Sequence, residues 1–385
     1  MIRSMIAISC AFDSGSIEPL DTTDPACLRV ALRADSRADI RQWFHFRISG
    51  VRGLACALRF ENAGQATYPA GWQGYRVCAS YDRNDWFRLP TEFDGSVMTT
   101  RFESPHDTIW LAYFEPYPAE RHLALLGEAQ ASGRARVERL GASIEGRDLD
   151  VIVVGGPSTI IAGGPVPPRA VWVVARQHPG ETMAQWFVEG LLRRLLDRSD
   201  PVARAALQRA VFHLVPNINP DGAARGNLRT NAAGANLNRE WSAPDAQRSP
   251  EVLLVRERMI ATGVHAFIDA HGDEALPYVF IDGPQRVPGF DAAQEARLDA
   301  FRRNFRMASP DFQTVHGYRS DKATQANLSL ASKWVAHRFG ALSVTLEMPF
   351  KDNADAPDAR VGWNGARSAR LGEAALVALL ADLGD

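Results

Sequence analysis

The sequence predicts an α/β domain with a mixed, largely parallel twisted sheet flanked by helices, preceded by an all-β antiparallel sandwich. Short apolar runs separated by turn residues fill the first part of the chain, as in a sandwich. Apolar strands then alternate with longer helical patterns, which is typical of an α/β sheet. Between them, 115-EPYPAERHLALLGEAQ-130 introduces two prolines and a helical spacing, so we predict domains at residues 1–118 and 119–385.

The strands of the first domain are predicted from runs that are short, in several cases alternating, and bounded by Gly, Pro, Asp or Asn. These runs are MIAISCAF, CLRVALR, QWFHFRISG, ACALRFENA, YRVCASYD, MTTRFES and TIWLAYFEPY.

In the second domain, VERLGASI and LDVIVVGG predict a hairpin around the turn EGRD. The run RAVWVVARQ reads as a buried strand, followed by a helix over residues 182–197. Three further strands, VFHLVPNIN, VHAFIDAH and ALSVTLEM, each stop at a polar residue. A last amphipathic helix is predicted over residues 368–384. Ligands bind at the carboxyl ends of strands in such sheets, so the polar residues there are candidates for function.

Composition narrows the choice of partners. The chain has 385 residues, 46% of them hydrophobic, and 43 Lys and Arg against 45 Asp and Glu give a net charge of −2. That balance argues against binding to nucleic acid or to an anionic membrane. The opening residues lack a clear signal-peptide pattern, and no run approaches the roughly 20 apolar residues that span a bilayer. We therefore expect a soluble, cytoplasmic protein, and its oligomeric state stays open.

A first candidate for metal binding is the pair His178 and Glu181, three residues apart across Pro179 and Gly180. The turn would let the histidine sit at a strand end and the glutamate on the opening turn of the helix. Taken alone, the pair also fits a histidine in a turn and a glutamate that favours a helix N-terminus.

His271, at the end of the strand in 264-VHAFIDAHGDE-274, strengthens the metal interpretation. Two histidines and one glutamate form the ligand set of a common class of catalytic zinc site. Carboxylates can orient such imidazoles, and Asp269, Asp273 and Glu274 are candidates for that support, although all three could be ordinary loop acids.

A charged residue at the end of the last strand is a candidate base. Glu347 ends the run in 341-ALSVTLEMPF-350, where burial of an unpaired carboxylate would be costly in a purely structural strand. The loop 217-NINPDGAARGNLRTNAAGANLNREW-241 adds Asn238 and three arginines, which could pair with a carboxylate or stabilise an oxyanion; the arginines are Arg225, Arg229 and Arg239. A solvated, Asn-rich surface loop is the alternative.

In the order HPGE, NPDG, GNLR, NLNR, DAHG and TLEMPF, the motifs resemble those of the zinc metallocarboxypeptidases, and more narrowly the cytosolic carboxypeptidase subfamily. The resemblance implies a carboxypeptidase-like catalytic domain that removes the last residue from peptides or protein tails. It also implies one Zn²⁺ per chain, bound by His178, Glu181 and His271.

Further roles follow from the same resemblance. Asn238 and Arg239 would hold the α-carboxylate of the substrate, and Arg229 would polarise the scissile carbonyl and stabilise the oxyanion. Glu347 would act as general base and then as general acid.

The chain departs from the family pattern in one respect. Many members carry a tyrosine on a loop before the catalytic glutamate, but residues 327–347 contain none. Trp334 lies nearest to that place and Tyr318 lies farther upstream, so we leave this role unassigned.

The subfamily's association with acidic terminal residues would require a cation in the specificity pocket, which Lys333 or Arg338 could supply. Two other functions remain open: an N-acyl amino acid deacylase of the related fold, and a peptide-binding protein that has lost catalysis.

Overall fold

The computed structural model describes residues 5–156, 169–318 and 326–384, so residues 1–4 of the opening stretch lie outside it. Within the described part, the first domain is an all-β unit of two five-stranded sheets, ordered β1-β4-β10-β6-β7 and β2-β3-β5-β9-β8. Its strands are β1 (Ala7–Ser9), β2 (Glu18–Asp21), β3 (Leu28–Ala31), β4 (His45–Ser49), β5 (Ala55–Phe60), β6 (Cys78–Ser80), β7 (Trp86–Arg88), β8 (Thr91–Phe93), β9 (Met98–Glu103) and β10 (Thr108–Ala112).

Aromatic side chains fill the space between these two sheets. Phe44, just before β4, and Phe46, within β4, contact Phe60 of β5, with ring centroids 4.7 and 6.2 Å from that of Phe60. The pairing within each sheet is antiparallel except between β3 and β5, which run parallel. The fold is therefore the predicted antiparallel sandwich, with one parallel pair.

Helix α1 begins at Ala119, the residue near which the sequence predicts a domain boundary. The helices of the second domain are α1 (Ala119–Ala131), α2 (Met183–Leu196), α3 (Pro201–Arg209), α4 (Pro220–Arg225), α5 (Pro250–Thr262), α6 (Ala292–Ala308), α7 (Ala331–Phe339) and α8 (Gly365–Leu383). The strands of that domain are β11 (Ala135–Ala142), β12 (Asp148–Val154), β13 (Arg169–Ala175), β14 (Ala210–Val215), β15 (Ala266–Asp273), β16 (Phe280–Asp282) and β17 (Leu342–Pro349).

These seven strands form one mixed sheet in the order β11-β12-β14-β13-β15-β17-β16. The four central strands β14, β13, β15 and β17 are parallel, and the outer pairs are antiparallel. The predicted hairpin, the helix after β13 and the closing helix are all present. Strand β15 runs two residues beyond the predicted end at His271, because Gly272 and Asp273 continue the ladder with β17.

Helices α2 and α8 pack against each other at two glycines. A Cβ atom on Gly190 would lie 1.9 Å from the carbonyl oxygen of Ala369, and one on Gly372 would lie 2.0 Å from that of Phe187. The helix backbones therefore approach more closely than any side chain would permit. No helix in the described ranges is long and apolar enough to cross a membrane.

Replacement of Gly190 by alanine should therefore destabilise the protein, by about 2 kcal/mol, as overpacking does. Thermal unfolding followed by circular dichroism would measure the loss. Gly127 on α1 is the matched control, since a Cβ there meets nothing within 4 Å. Gly127→Ala should be neutral or slightly stabilising, and equal melting temperatures for the two variants would contradict this packing account.

Candidate active site

The carboxyl ends of three neighbouring parallel strands bring the predicted residues together. Strand β13 ends at Ala175 and leads into the turn that carries His178 and Glu181. On the two adjacent strands, His271 of β15 lies opposite Glu347 of β17. All four functional side chains are buried. The parallel register thus assembles residues that are as much as 169 positions apart (347 − 178) in the sequence.

Two imidazoles share the carboxylate of Glu181. Its Oε1 lies 2.7 Å from Nδ1 of His178, and its Oε2 lies 2.7 Å from Nδ1 of His271. The two Nδ1 atoms are 3.2 Å apart. One ligand atom from each residue falls within 4.8 Å of the others, so the three side chains can hold one metal ion. Nitrogen and carboxylate ligands of this kind suit Zn²⁺.

The outward-facing imidazole nitrogens have their own acceptors. Nε2 of His178 lies 3.0 Å from Oδ1 of Asn236, and Nε2 of His271 lies 3.0 Å from the Asp269 carboxylate. A proton on each Nε2 satisfies these contacts and leaves each Nδ1 lone pair for a metal. Asp269 therefore supports an imidazole as expected, whereas Asn236 was not predicted.

Asp269 is itself held in place. The side-chain amide of Gln177 donates to both of its carboxylate oxygens, at 2.7 and 2.8 Å. The Gln177 carbonyl oxygen accepts a hydrogen bond of 2.7 Å from Nε1 of Trp241. This chain of contacts orients the carboxylate toward His271.

Burial and the charges within the cluster shift the pKa values of its three side chains. Burial alone would raise the pKa of Glu181, but the two neighbouring histidines hold it well below its usual range. Burial also opposes protonation of His271, yet Asp269 and Glu181 raise its pKa well above normal. For His178, burial and then the charge of Arg229 lower the pKa to about 4. The two carboxylates thus create a local demand for positive charge, which a bound cation would meet.

The turn between the ligands is braced from both sides. Arg176, in the left-handed region at φ 61°, buries its guanidinium and donates from Nη2 to the Pro179 carbonyl at 2.6 Å. It also donates to the carbonyl of Tyr117 at 3.0 Å. On the other side, the Gly180 N–H donates to the Leu228 carbonyl at 2.9 Å, and a Cβ on Gly180 would lie 3.0 Å from that oxygen. The two loops therefore pack closely at this glycine.

One carboxylate oxygen of Glu347 has a hydrogen-bond partner, and the other has none among the described residues. The hydroxyl of Tyr318 lies 3.0 Å from its Oε1 and 2.9 Å from Oδ2 of Asp273, and it can donate to one carboxylate at a time. Oε2 is buried and has no hydrogen-bond partner among the described residues. Burial raises the pKa of Glu347 well above normal, against the effect of His271.

The arginines of the 217–241 loop separate into two groups. Arg225 points away from the site, where it pairs with Glu145. The Arg229 guanidinium lies 5.5 Å from the ring centre of Tyr68, and in the described ranges it forms no ion pair. Arg239 is exposed and donates to the Asn238 carbonyl at 2.7 Å. Burial and the charge of Arg229 lower the pKa of Arg239, which indicates two neighbouring cations.

Asn238 uses its side-chain oxygen to accept the N–H of Ala331 at 2.8 Å. Its Nδ2 lies 3.2 Å from Nε2 of His271. Because that nitrogen already carries a proton toward Asp269, it cannot accept from Asn238. The Asn238 amide is therefore an available donor at the edge of the site.

Two of the expected supporting acids have other contacts. Asp273 accepts the N–H groups of Ala275 and Leu276 and lies within hydrogen-bond distance of the Tyr318 hydroxyl, rather than of an imidazole. The Glu274 side chain is buried with Oε1 unpartnered by any described residue. Burial, then the charge of Glu181, raises its pKa to about 8. Of the three candidates for orienting an imidazole, these two therefore make no hydrogen bond to one in the described part of the chain.

The structure also places four residues whose roles the sequence left open. Lys333 is tied to Asp282 at 2.8 Å, so its charge is already paired. Arg338 lies over the ring of Phe339 on helix α7. Trp334 packs against Trp241, whereas Tyr318 reaches Glu347. The loop tyrosine at the site is therefore Tyr318, which sequence spacing alone did not identify.

A two-histidine, one-glutamate cluster beside a buried carboxylate, at the carboxyl edge of an α/β sheet, defines the class as a metal-dependent hydrolase. Comparison with known families makes this specific. Residues 8–114 match the model of the cytosolic carboxypeptidase N-terminal domain, and residues 123–360 match that of zinc carboxypeptidase. The chain belongs to the zinc carboxypeptidase family and is a metallocarboxypeptidase.

Individual relatives agree with this assignment. The chain shares 52% sequence identity with a metallo-carboxypeptidase from Burkholderia cenocepacia. The crystal structure of that protein matches with a TM-score of 0.92 over 98% of both chains. An uncharacterized protein of Zymomonas mobilis is 43% identical over 99% of this chain and 97% of its own length. Mouse cytosolic carboxypeptidase 6 is 25% identical over 73% of this chain, which spans 56% of that longer protein.

Replacement of Asp269 by asparagine should weaken metal binding about 10- to 100-fold, because the acceptor that orients His271 loses its charge. Competition with a chromogenic zinc chelator would measure the affinity. Asp148→Asn is the control, since that side chain is 60% exposed and far from the site in the hairpin. Equal zinc affinity in the Asp269 variant and the parent would show that the contact is dispensable.

Proposed function

We propose that the protein hydrolyses the C-terminal peptide bond of peptides or protein tails with one Zn²⁺ held by His178, Glu181 and His271. The observation that carries the proposal is the convergence of both Nδ1 atoms on Glu181, next to the open oxygen of Glu347. When bound, Zn²⁺ supplies Lewis acidity and lowers the pKa of water toward neutrality.

Glu347 is proposed as the group that takes the proton from water and passes it to the leaving amine. Support comes from its buried Oε2, which has no hydrogen-bond partner among the described residues, and from its place opposite His271. Tyr318 fixes the other oxygen and so orients the carboxylate. A base positioned in this way contributes about 10²- to 10⁴-fold to the rate.

Three side chains are proposed to bind substrate. Arg229 would donate to the scissile carbonyl and to the oxyanion that develops there. Arg239 and the free amide of Asn238 would hold the terminal α-carboxylate. The two arginines support this assignment because neither forms an ion pair in the described part of the chain, and Arg229 lies close enough to lower the pKa of Arg239, after the effect of burial.

We further propose a preference for acidic terminal residues, supported by a different set of cations from those expected. A cleft of about 720 Å³ extends from Tyr318 along helix α6. Lys333 lines it but is paired, and Arg338 does not line it. The exposed Arg303 and Arg306 of α6 also line the cleft and contribute positive charge to it, together with Arg286 and with Arg302, which pairs with Asp299.

The carboxypeptidase function is favoured over an N-acyl amino acid deacylase by the matched N-terminal domain and the full set of carboxylate-binding candidates. A protein without catalysis is disfavoured because the metal cluster and Glu347 coexist. We also propose a cytoplasmic location, in keeping with the cytosolic relatives.

Glu347→Gln should lower kcat at least about 100-fold while zinc stays bound, because the amide cannot accept a proton from water. Release of the last residue from a tripeptide can be followed by mass spectrometry, and zinc can be measured on the same sample. Glu295→Gln on α6 serves as the surface control. Normal turnover by the zinc-loaded Glu347 variant would refute the assigned base.

The proposed specificity can be tested with peptides that differ only in a terminal Glu, Phe or Lys. We expect the highest kcat/KM for Glu and about a tenfold loss for that peptide alone when Arg303 and Arg306 are both changed to alanine, since each lost charge contact near the surface is modest. Arg52→Ala, on an exposed residue of the first domain, is the control. Equal hydrolysis of the three peptides by the parent would exclude the preference.

A further inference from the structure

The sandwich domain contacts the loop that carries Arg229. Asp35 lies between β3 and β4 and is only 6% exposed. Its Oδ1 accepts the N–H of Leu228 at 2.6 Å, and its Oδ2 accepts the N–H of Arg229 at 2.8 Å. Thr230 adds two more donors to Oδ2, its N–H at 2.9 Å and its hydroxyl at 3.0 Å. One carboxylate thus receives four hydrogen bonds from three successive residues.

These four donors are the only compensation for burial of Asp35 within the described ranges, where no cation pairs with it. Burial of a carboxylate without an ion pair costs free energy. Apolar side chains could therefore hold the two domains together at a lower free-energy cost. What the carboxylate adds is geometry, because three consecutive N–H groups can converge on it in only one arrangement of the 228–230 backbone.

A second residue of the sandwich restrains the other end of Arg229. The Tyr68 ring lies against the guanidinium, 5.5 Å from its central carbon. The Tyr68 N–H is in turn held by the side chain of Gln42 at 2.9 Å. Nearby, a Cβ on Gly71 would come within 3.0 Å of Glu274, so this part of the sandwich reaches the edge of the active site. An aromatic face and a guanidinium attract each other, which favours one orientation of the arginine.

We propose that the N-terminal domain is part of the catalytic apparatus, with Asp35 and Tyr68 as positioning residues that hold Arg229 at its backbone and at its guanidinium. The proposal rests on the function assigned above to Arg229. A sandwich that only covered the cleft or formed an assembly surface would not need to hold Arg229 in this way.

Asp35→Asn is the first test, because an amide keeps one acceptor oxygen but turns N–H groups toward backbone donors. A shift of about 1 Å in a catalytic group can cost about 100-fold in rate, so we expect kcat to fall 10- to 100-fold with KM changed less than about twofold. Asp39→Asn in the same loop, where the side chain is 85% exposed, is the control and should keep full activity. A fall in zinc affinity equal to the fall in kcat would move the effect to the metal turn and overturn the proposal.

Tyr68 offers a test that does not disturb the buried carboxylate. Tyr68→Phe keeps the ring over Arg229 and should retain kcat within about twofold, whereas Tyr68→Ala should lower kcat about tenfold, in line with an aromatic–cation contact. Equal losses in the two variants would assign the effect to the hydroxyl and contradict the proposed restraint.

A double-mutant cycle separates this proposal from the role of Arg229 itself. Arg229→Ala should lower kcat/KM about 100- to 1,000-fold, as loss of an oxyanion donor does, and Asp35→Asn should then add less than about twofold. Full activity of Arg229→Ala would refute the role of Arg229. A large loss in Arg229→Ala, with an equally large and independent loss from Asp35→Asn, would refute only the positioning role of Asp35.

Discussion

Burial of the Glu181 carboxylate between two imidazoles is the constraint on which the rest of the site depends. A buried charge must be paired, and a cation held between the three side chains would pair it, because an Nδ1 atom approaches each of its oxygens. The imidazoles must then present Nδ1 inward, which requires acceptors for the opposite nitrogens. Asn236 and Asp269 provide them, and Gln177 holds Asp269 in turn. A cluster of three ligands is thus stabilised by polar contacts that extend well beyond it.

The sheet places this cluster next to the proposed base. Because β13, β15 and β17 run parallel, their carboxyl ends meet at one edge, and the ladder places Glu347 directly opposite His271. The sandwich approaches this edge through the contacts of Asp35 and Tyr68 with Arg229. The proposed metal ligands, the proposed base and the arginines therefore come from separate elements that converge only in the folded chain.

Much of this could be predicted from the sequence. His178, Glu181, His271 and Glu347 each follow an apolar run, and strand polarity is enough to gather such residues at one edge. The sandwich, the central strands and the helix after β13 were likewise visible as periodic patterns. Local spacing therefore identified the residues that touch the proposed metal and base.

The remaining contacts depend on how loops pack, which spacing does not encode. Tyr318 lies 29 residues before Glu347, and the contact between its hydroxyl and that carboxylate depends on tertiary packing. Asp35 lies 194 residues before Arg229 (229 − 35), in another domain. Lys333 was a candidate cation for a pocket that binds acidic terminal residues. Its salt bridge with Asp282 forms only because β16 joins the edge of the sheet. Such pairings arise from tertiary structure alone.

The central claim is that one metal ion, held by His178, Glu181 and His271, makes this chain a carboxypeptidase. The most direct measurement is cleavage of a tripeptide by protein stripped with a chelator and then titrated with Zn²⁺, with bound metal determined on the same samples. The account predicts no release of the last residue at first, then activity that rises in proportion to zinc and levels off at one ion per chain. Full activity in the stripped protein, or activity that rises without bound zinc, would contradict it.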